Sequence, residues 1–159
     1  MTDYAPVAAR LAALAEGDPE QEVCGFVVAS AGGELEVVPV RNVVGEGRES
    51  PAGGAGSREA FVVEPTAHLL LSRRLRQEGG RIVAVYHSHV DGPARLSPVD
   101  LAAAIDGDAP VLPGTDQIVI GMDRGKVQVI RAFAWIDGSY APVASWSGSL
   151  ARRVEQGAR

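Results

Sequence analysis

A single cysteine, Cys24, stands in a chain of 159 residues, so no disulfide can form within it and a reducing compartment is its natural setting. Lysine is as scarce: of 15 basic residues only Lys126 is a lysine, against 20 acidic ones. The net charge of −5, a pI near 5.2 and the lack of any basic stripe interleaved with aromatics exclude a nucleic-acid partner. No apolar run approaches the roughly 20 residues of a membrane span. The start, Met1-Thr2-Asp3-Tyr4, has neither a basic region nor an apolar signal core, which predicts a cytoplasmic protein with no membrane partner. The arginine bias and the abundance of alanine and glycine fit GC-rich codons and hence a bacterial source.

What the chain does have is enough length for one self-sufficient core. A domain of this size buries roughly 70% of its extended-chain surface, so folding needs no metal, and any metal it holds serves function. Residues 1–150 read as one domain, and residues 151–159 as a frayed tail. Tyr4 to Ala15 is a helix, with Val7, Leu11, Leu14 and Ala15 at helical spacing and Gly17 ending it. Val23 to Ser30 and Glu34 to Asn42 are strands in a hairpin turning at Ala31-Gly32-Gly33. Residues 45–59, rich in glycine and charge, read as a mobile loop. A short strand at Ala60 to Val63 is predicted to lead into a helix opened by Pro65 and closed by Gly79-Gly80, then a strand from Arg81 to His89. Strand, helix, strand implies a crossover that lays the helix on one face of a sheet. Gln117 to Met122 and Lys126 to Phe133 form a second hairpin about Asp123-Arg124-Gly125, and Trp135 to Tyr140 closes the pattern as a turn or short edge strand. The sum is an α/β domain with a mixed sheet flanked by helices.

The chemistry concentrates in His87-Ser88-His89, followed after seven residues by Ser97-Pro98-Val99-Asp100. Both histidines end the apolar run Ile82 to Tyr86, so on a strand their side chains leave the same face. Asp100 sits at a helix start, where a loop can fold its carboxylate back beside the strand end. Two imidazoles and one carboxylate with a fourth position left for water is the coordination of catalytic zinc. Ser97-x-x-Asp100 with Pro98 is equally a helix-capping box, and taken alone it needs no other role.

The spacing His-x-His, seven residues, Ser-x-x-Asp resembles the JAMM metalloproteases, the catalytically competent MPN (JAB) domains. Their Glu-x-Cys-Gly-like segment matches Glu22-Val23-Cys24-Gly25 here. The resemblance spans roughly residues 22–131 and implies the MPN fold with a curved mixed sheet. It further implies one zinc ion per chain held by His87, His89 and Asp100, Glu22 as general base and Ser97 as donor to the developing oxyanion. The implied activity is cleavage after the C-terminal glycine of a ubiquitin-like or sulfur-carrier protein, by deconjugation or precursor trimming; a bacterial source argues against eukaryotic ubiquitin itself. Two departures are visible: Val90 follows the second histidine where the family often has proline, with Pro93 three further on, and residues 45–59 replace the insertion that borders the family's substrate groove.

Other readings stay open at this level. Glu22 also fits the solvated linker that begins at Glu16, although an acidic residue leading into a run as apolar as Val23 to Val28 needs a partner where it is desolvated. Cys24 reads as a small hydrophobe on a buried strand rather than a thiol nucleophile, Ser88 as a structural residue on the opposite face, and His68 as packed or partly exposed beside an apolar stripe. Trp135, Tyr140 and Trp146 either close the core or form a sticky surface. A non-catalytic MPN scaffold and a different two-histidine, one-carboxylate enzyme such as a non-haem iron protein are the alternatives to a zinc peptidase. The sequence leaves the oligomeric state open.

Overall fold

Apolar residues that alternate along six strands are split between two faces of one sheet, and a helix covers each face. In the computed structural model, which describes residues 1–46, 56 and 58–149, the chain begins with a 3-10 turn at Ala5–Val7 and helix α1 at Ala8–Gly17. The strands β1 (Cys24–Ala29) and β2 (Leu35–Val40) follow as an antiparallel hairpin. Helix α2 (Pro65–Glu78) leads to β3 (Arg81–His89), helix α3 (Pro98–Ala104) to a two-stranded ribbon of β4 (Ile105–Asp106) and β5 (Ala109–Pro110), and then come β6 (Asp116–Asp123), β7 (Lys126–Ile136) and β8 (Ser139–Ser147). The sheet order is β2-β1-β3-β6-β7-β8, antiparallel except for the β3–β6 pair.

Phe26 and Val28 point to the face covered by Leu71 and Leu75 of α2, together with Val85; Val27 and Ala29 point to the face covered by Leu11 and Ala15 of α1, with Tyr86, Ile118, Ile120 and Ile130. Pro6 tightens the start of the first helix into a 3-10 turn, so the regular helix begins later and ends later than the spacing predicts. Glu64 caps α2 by accepting from the Thr66 and Ala67 N–H groups at 3.0 and 2.7 Å. The helix connects β2 to β3, which run parallel on either side of β1, so a crossover lays it on one face of the sheet, but the strand it leaves from is β2 and not Ala60 to Val63 as expected.

Two expectations need correction. Ala60 to Val63 is not a strand: among the described residues its one β-bridge is Asn42 to Val63, and the Asn42 side chain takes the Ala60 carbonyl and the Val62 N–H that a neighbouring strand would use. The segment Trp135 to Tyr140 is the end of β7, a turn at Asp137-Gly138 with both φ positive, and the start of a nine-residue β8. Pro142 hid that strand, and it is tolerated because β8 is an edge strand with a register shift opposite Ala132 and Phe133. Of the predicted loop, residues 47–55 and 57 lie outside the described residues, as do residues 150–159.

Gly25, between β2 and β3, has a packing reason for lacking a side chain: an added Cβ would meet the Val38 carbonyl oxygen and approach the Tyr86 hydroxyl to 2.8 Å. Gly25→Ala should therefore cost about 1–3 kcal/mol by overpacking. Urea unfolding midpoints measure this, and an unchanged midpoint would show that the β1–β2 pair relaxes freely.

Candidate metal centre

β3 ends between β1 and β6, with His87 opposite Cys24 on one side and Val119 on the other. Ser88 faces away from the histidines and clasps the strand to the residue after Glu22: its Oγ accepts from Val23 N–H at 2.9 Å and its N–H donates to the Val23 carbonyl at 2.9 Å. Past β3 the chain doubles back, Gly92 bridging Met122, so that the Pro93 carbonyl accepts from Nδ1 of His89 at 2.8 Å. That bond fixes the His89 tautomer with the Nε2 lone pair facing inward, the outer support expected of a ligating histidine. Gly121 makes room for the loop, since a Cβ there would come within 2.5 Å of the Ala94 nitrogen.

Ser97 and Asp100 form the predicted capping box, and the cap is what aims the carboxylate. Ser97 N–H donates to Asp100 Oδ2 at 2.7 Å and Asp100 N–H donates to Ser97 Oγ at 3.2 Å. With its backbone so fixed, Asp100 places Oδ1 3.2 Å from His87 Nε2 and Oδ2 3.2 Å from His89 Nε2, and the two Nε2 atoms are 3.1 Å apart. Structural cap and candidate ligand are the same residue.

These three side chains can hold a metal ion. Tetrahedral bonds of about 2.0–2.1 Å to zinc set ligand atoms about 3.3–3.4 Å apart, close to the separations found. Two Nε2 atoms facing at 3.1 Å leave room for at most one proton between them, whereas a cation accepts both lone pairs. Burial raises the Asp100 carboxyl, but hydrogen bonds from His87 and His89 outweigh it and hold the group well below the usual carboxylate range. Burial pushes fully buried His87 down, toward the neutral form a metal ligand needs. His89 is also lowered by burial, yet its bonds to Asp100 and Pro93 carry it above its ordinary value.

Glu22 is 3% exposed, inside the protein rather than in a solvated linker, and its Oε2 has no partner among the described residues. Burial pushes its pKa up to about 8, opposed by the charge of His89 and reinforced by that of Asp100. An unpaired carboxylate oxygen next to an ionised aspartate is costly without a cation or a proton nearby. The donor set and this orphaned oxygen both fit a divalent metal.

Phe61 stacks on His87 with ring centroids 4.5 Å apart and planes at 22°. Beside Asp100 opens a mainly apolar cavity of about 230 Å³, lined by Phe26, Phe61, His68, Val85 and Leu112 among others. His68 is half-buried against Phe26 at 5.0 Å and is not part of the cluster. Cys24 is buried, its thiol pushed up to about 12 by desolvation, and behaves as the small hydrophobe predicted. Sequence reasoning missed Phe61, the Pro93 carbonyl and Asn42. Only Pro93 left a trace, as the proline displaced from the family's usual position, because the other two act through contacts across the fold that no local spacing encodes.

The arrangement of sheet, crossover helix and strand-end cluster is that of the MPN class. A sequence profile for prokaryotic homologs of the JAB domain matches residues 4–146, and the chain belongs to that family. It is 39% identical over 59 residues to a protein of Thermus thermophilus named "Probable TtuB-protein conjugate cleaving protease", a stretch of 37% of this chain and 40% of that relative's length. The fold is similar to the solution structure of a Desulfitobacterium hafniense protein, with TM-score 0.61 and 21% identity, covering 84% of this chain and 83% of the other. A Salinibacter ruber protein, also solved in solution, gives TM-score 0.55 and 20% identity over 87% and 86%. No helix among the described residues is long and apolar enough to cross a membrane.

The raised pKa of Glu22 carries a testable sign. The folded chain keeps this proton up to about pH 8, while an unfolded carboxyl releases it near 4.5, so the folded state is the better proton binder between them. Stability from this group is full below about pH 4.5 and is lost as pH rises through about 8. In metal-stripped protein, Glu22→Gln should flatten the fall of Tm from about pH 5 to about pH 8; an unaltered slope would place that ionisation on another group.

Proposed function

We propose that this chain is a zinc-dependent peptidase of isopeptidase type that cleaves after the C-terminal glycine of a ubiquitin-like or sulfur-carrier protein. The observation that carries the reading is the convergence of His87 Nε2, His89 Nε2 and the Asp100 carboxylate within 3.1–3.2 Å, together with a buried glutamate that has one oxygen unpartnered among the described residues. His87, His89 and Asp100 would hold the zinc, which supplies Lewis acidity and lowers the pKa of water toward neutrality.

Glu22 accepts the proton that water gives up as its oxygen adds to the scissile carbonyl, and passes it to the amine as the C–N bond breaks. The products are a free carboxylate on the glycine and a free amine on the other fragment. Ser97 Oγ accepts from Asp100 N–H, which leaves its own O–H to donate to the carbonyl oxygen as that atom gains negative charge. One such donor is worth roughly a hundredfold to a thousandfold in rate. The name of the Thermus relative supports a protein conjugate as substrate, and a groove that reads main chain and admits only glycine at the cleavage point gives specificity by width.

The purified protein should carry about one zinc per chain by native mass spectrometry. His89→Ala and Asp100→Ala should each remove most of it while circular dichroism stays native, because the core folds without metal. Full zinc occupancy in both variants would overturn the ligand assignment.

On a glycine-tailed ubiquitin-like protein extended by a short peptide, Glu22→Gln should keep its zinc and lose about a hundredfold or more in turnover. Ser97→Ala should lose less in rate, and about 1 kcal/mol of stability with the cap. Changing the terminal glycine of the fusion to valine should nearly abolish cleavage. Intact-mass analysis reads each result; equal cleavage of the glycine and valine forms would rule out the glycine-tail reading and leave the hydrolase standing.

A further inference from the structure

Asn42, two residues past β2 and half-buried, has its amide engaged at every available position. Nδ2 donates to the Glu22 carbonyl at 3.1 Å and to the Ala60 carbonyl at 3.0 Å. Oδ1 accepts from Val62 N–H at 3.0 Å and from Val44 N–H at 3.1 Å. A primary amide offers two donors and two acceptor sites, so its capacity is full. All four partners are main chain. One belongs to the residue whose side chain is the buried carboxylate, two flank Phe61, and the fourth holds the turn that Asn42 itself begins.

The amide is therefore where two separate pieces of the site are joined. Glu22 precedes β1 and takes no part in the sheet ladder, and Phe61 lies on an irregular segment whose main-chain links to residues 42–43, among the described residues, are the Asn42–Val63 bridge and a Val43 N–H to Val62 carbonyl bond of 3.0 Å, with the two Asn42 amide bonds to Ala60 and Val62 beside them. The metal-ligand side is held independently: His87 and His89 by β3, His89 by the Pro93 carbonyl, and Asp100 by its capping box. Loosening the amide would thus free the Glu22 carbonyl and the Phe61 segment, while Val23 stays tied to Ser88 of β3 and the ligands keep their own supports.

We propose that Asn42 is a positioning residue of the hydrolytic site, setting Glu22 against the metal ligands and seating Phe61 over His87. The proposal rests on the assignment of Glu22 as general base. Asn42→Asp keeps both accepted N–H bonds and the side-chain shape but turns a carboxylate oxygen toward the Glu22 and Ala60 carbonyls, cancelling only the two donated bonds. A displacement of about 1 Å in a reacting group costs about a hundredfold in rate, so this variant should lose about ten- to a hundredfold in kcat.

The experiment compares the zinc-loaded wild type with Asn42→Asp, Glu22→Gln and the double variant, using the glycine-tailed ubiquitin-like fusion as substrate, with zinc content and backbone amide exchange measured on each. Asn42→Asp should bind one zinc per chain, keep KM within about threefold, and lose kcat by about ten- to a hundredfold. The double variant should be no slower than Glu22→Gln alone, since both changes act on one group. Exchange at Val44 and Val62 should stay protected in Asn42→Asp, showing that the turn is intact while turnover falls.

Parental kcat in Asn42→Asp at full zinc would overturn the proposal, as would losses that multiply in the double variant, the signature of a merely structural residue. If Asn42→Asp does not fold, Asn42→Gln makes the same test without a buried charge, its amide moved out by one methylene; kcat should fall at full zinc, and parental kcat overturns the role. Parental turnover by Glu22→Gln would instead remove the base assignment itself, whereas a slow Glu22→Gln beside a fast Asn42→Asp removes only the positioning role.

Discussion

Everything at the strand end depends on one electrostatic conflict: two carboxylates and two imidazoles lie side by side away from water. Hydrogen bonds hold the Asp100 carboxyl well below the usual carboxylate range, Glu22 is buried with one oxygen unpartnered among the described residues, and the two Nε2 atoms confront each other at 3.1 Å. Burial raises the Glu22 carboxyl above the usual range, and the nearby Asp100 charge reinforces the shift. A divalent ion removes the conflict at once, giving both imidazole lone pairs and the aspartate a common partner and a positive charge for Glu22 to face. The core beneath is large enough to hold the arrangement open, so a metal bound there would serve chemistry rather than folding.

The surrounding fold supplies positioning through contacts that double as ordinary structure. The Ser97–Asp100 box caps α3 and aims a candidate ligand; Ser88 satisfies the Val23 backbone pair and so ties the histidine strand to the residue after Glu22; the Pro93 carbonyl closes a loop and sets a tautomer. A purely structural account explains each of these separately but not their convergence on three donor atoms, and it leaves the Glu22 carboxylate without a purpose. An iron oxygenase would use the same two histidines and carboxylate but has no need of a buried base, which favours hydrolysis.

Much of this was legible in the sequence because it is local. Two histidines at period two, a serine three residues before an aspartate, and a glutamate leading into an apolar strand are relations within a few residues, and the strand and helix that carry them have clear periodicity. The helix α2 and both hairpins follow for the same reason, whereas the crossover leaves from β2 and not from the expected strand at Ala60 to Val63. What was not legible is non-local. Asn42 and Phe61 gain their roles from partners some twenty or more residues away, β8 is disguised by Pro142, and β4 and β5 are too short to alternate. The segment at Ala60 to Val63 looks like a strand and is held by a side chain instead.

One metal ion held by His87, His89 and Asp100 would keep a coordination position for water within reach of Glu22. Anomalous diffraction at the zinc edge, from crystals of protein loaded with one equivalent of zinc, tests it most directly. The account predicts a single peak bonded to both Nε2 atoms and to the Asp100 carboxylate, with a non-protein ligand completing the shell on the Glu22 side. A peak at any other residues, or a shell closed by a fourth protein side chain, would contradict it.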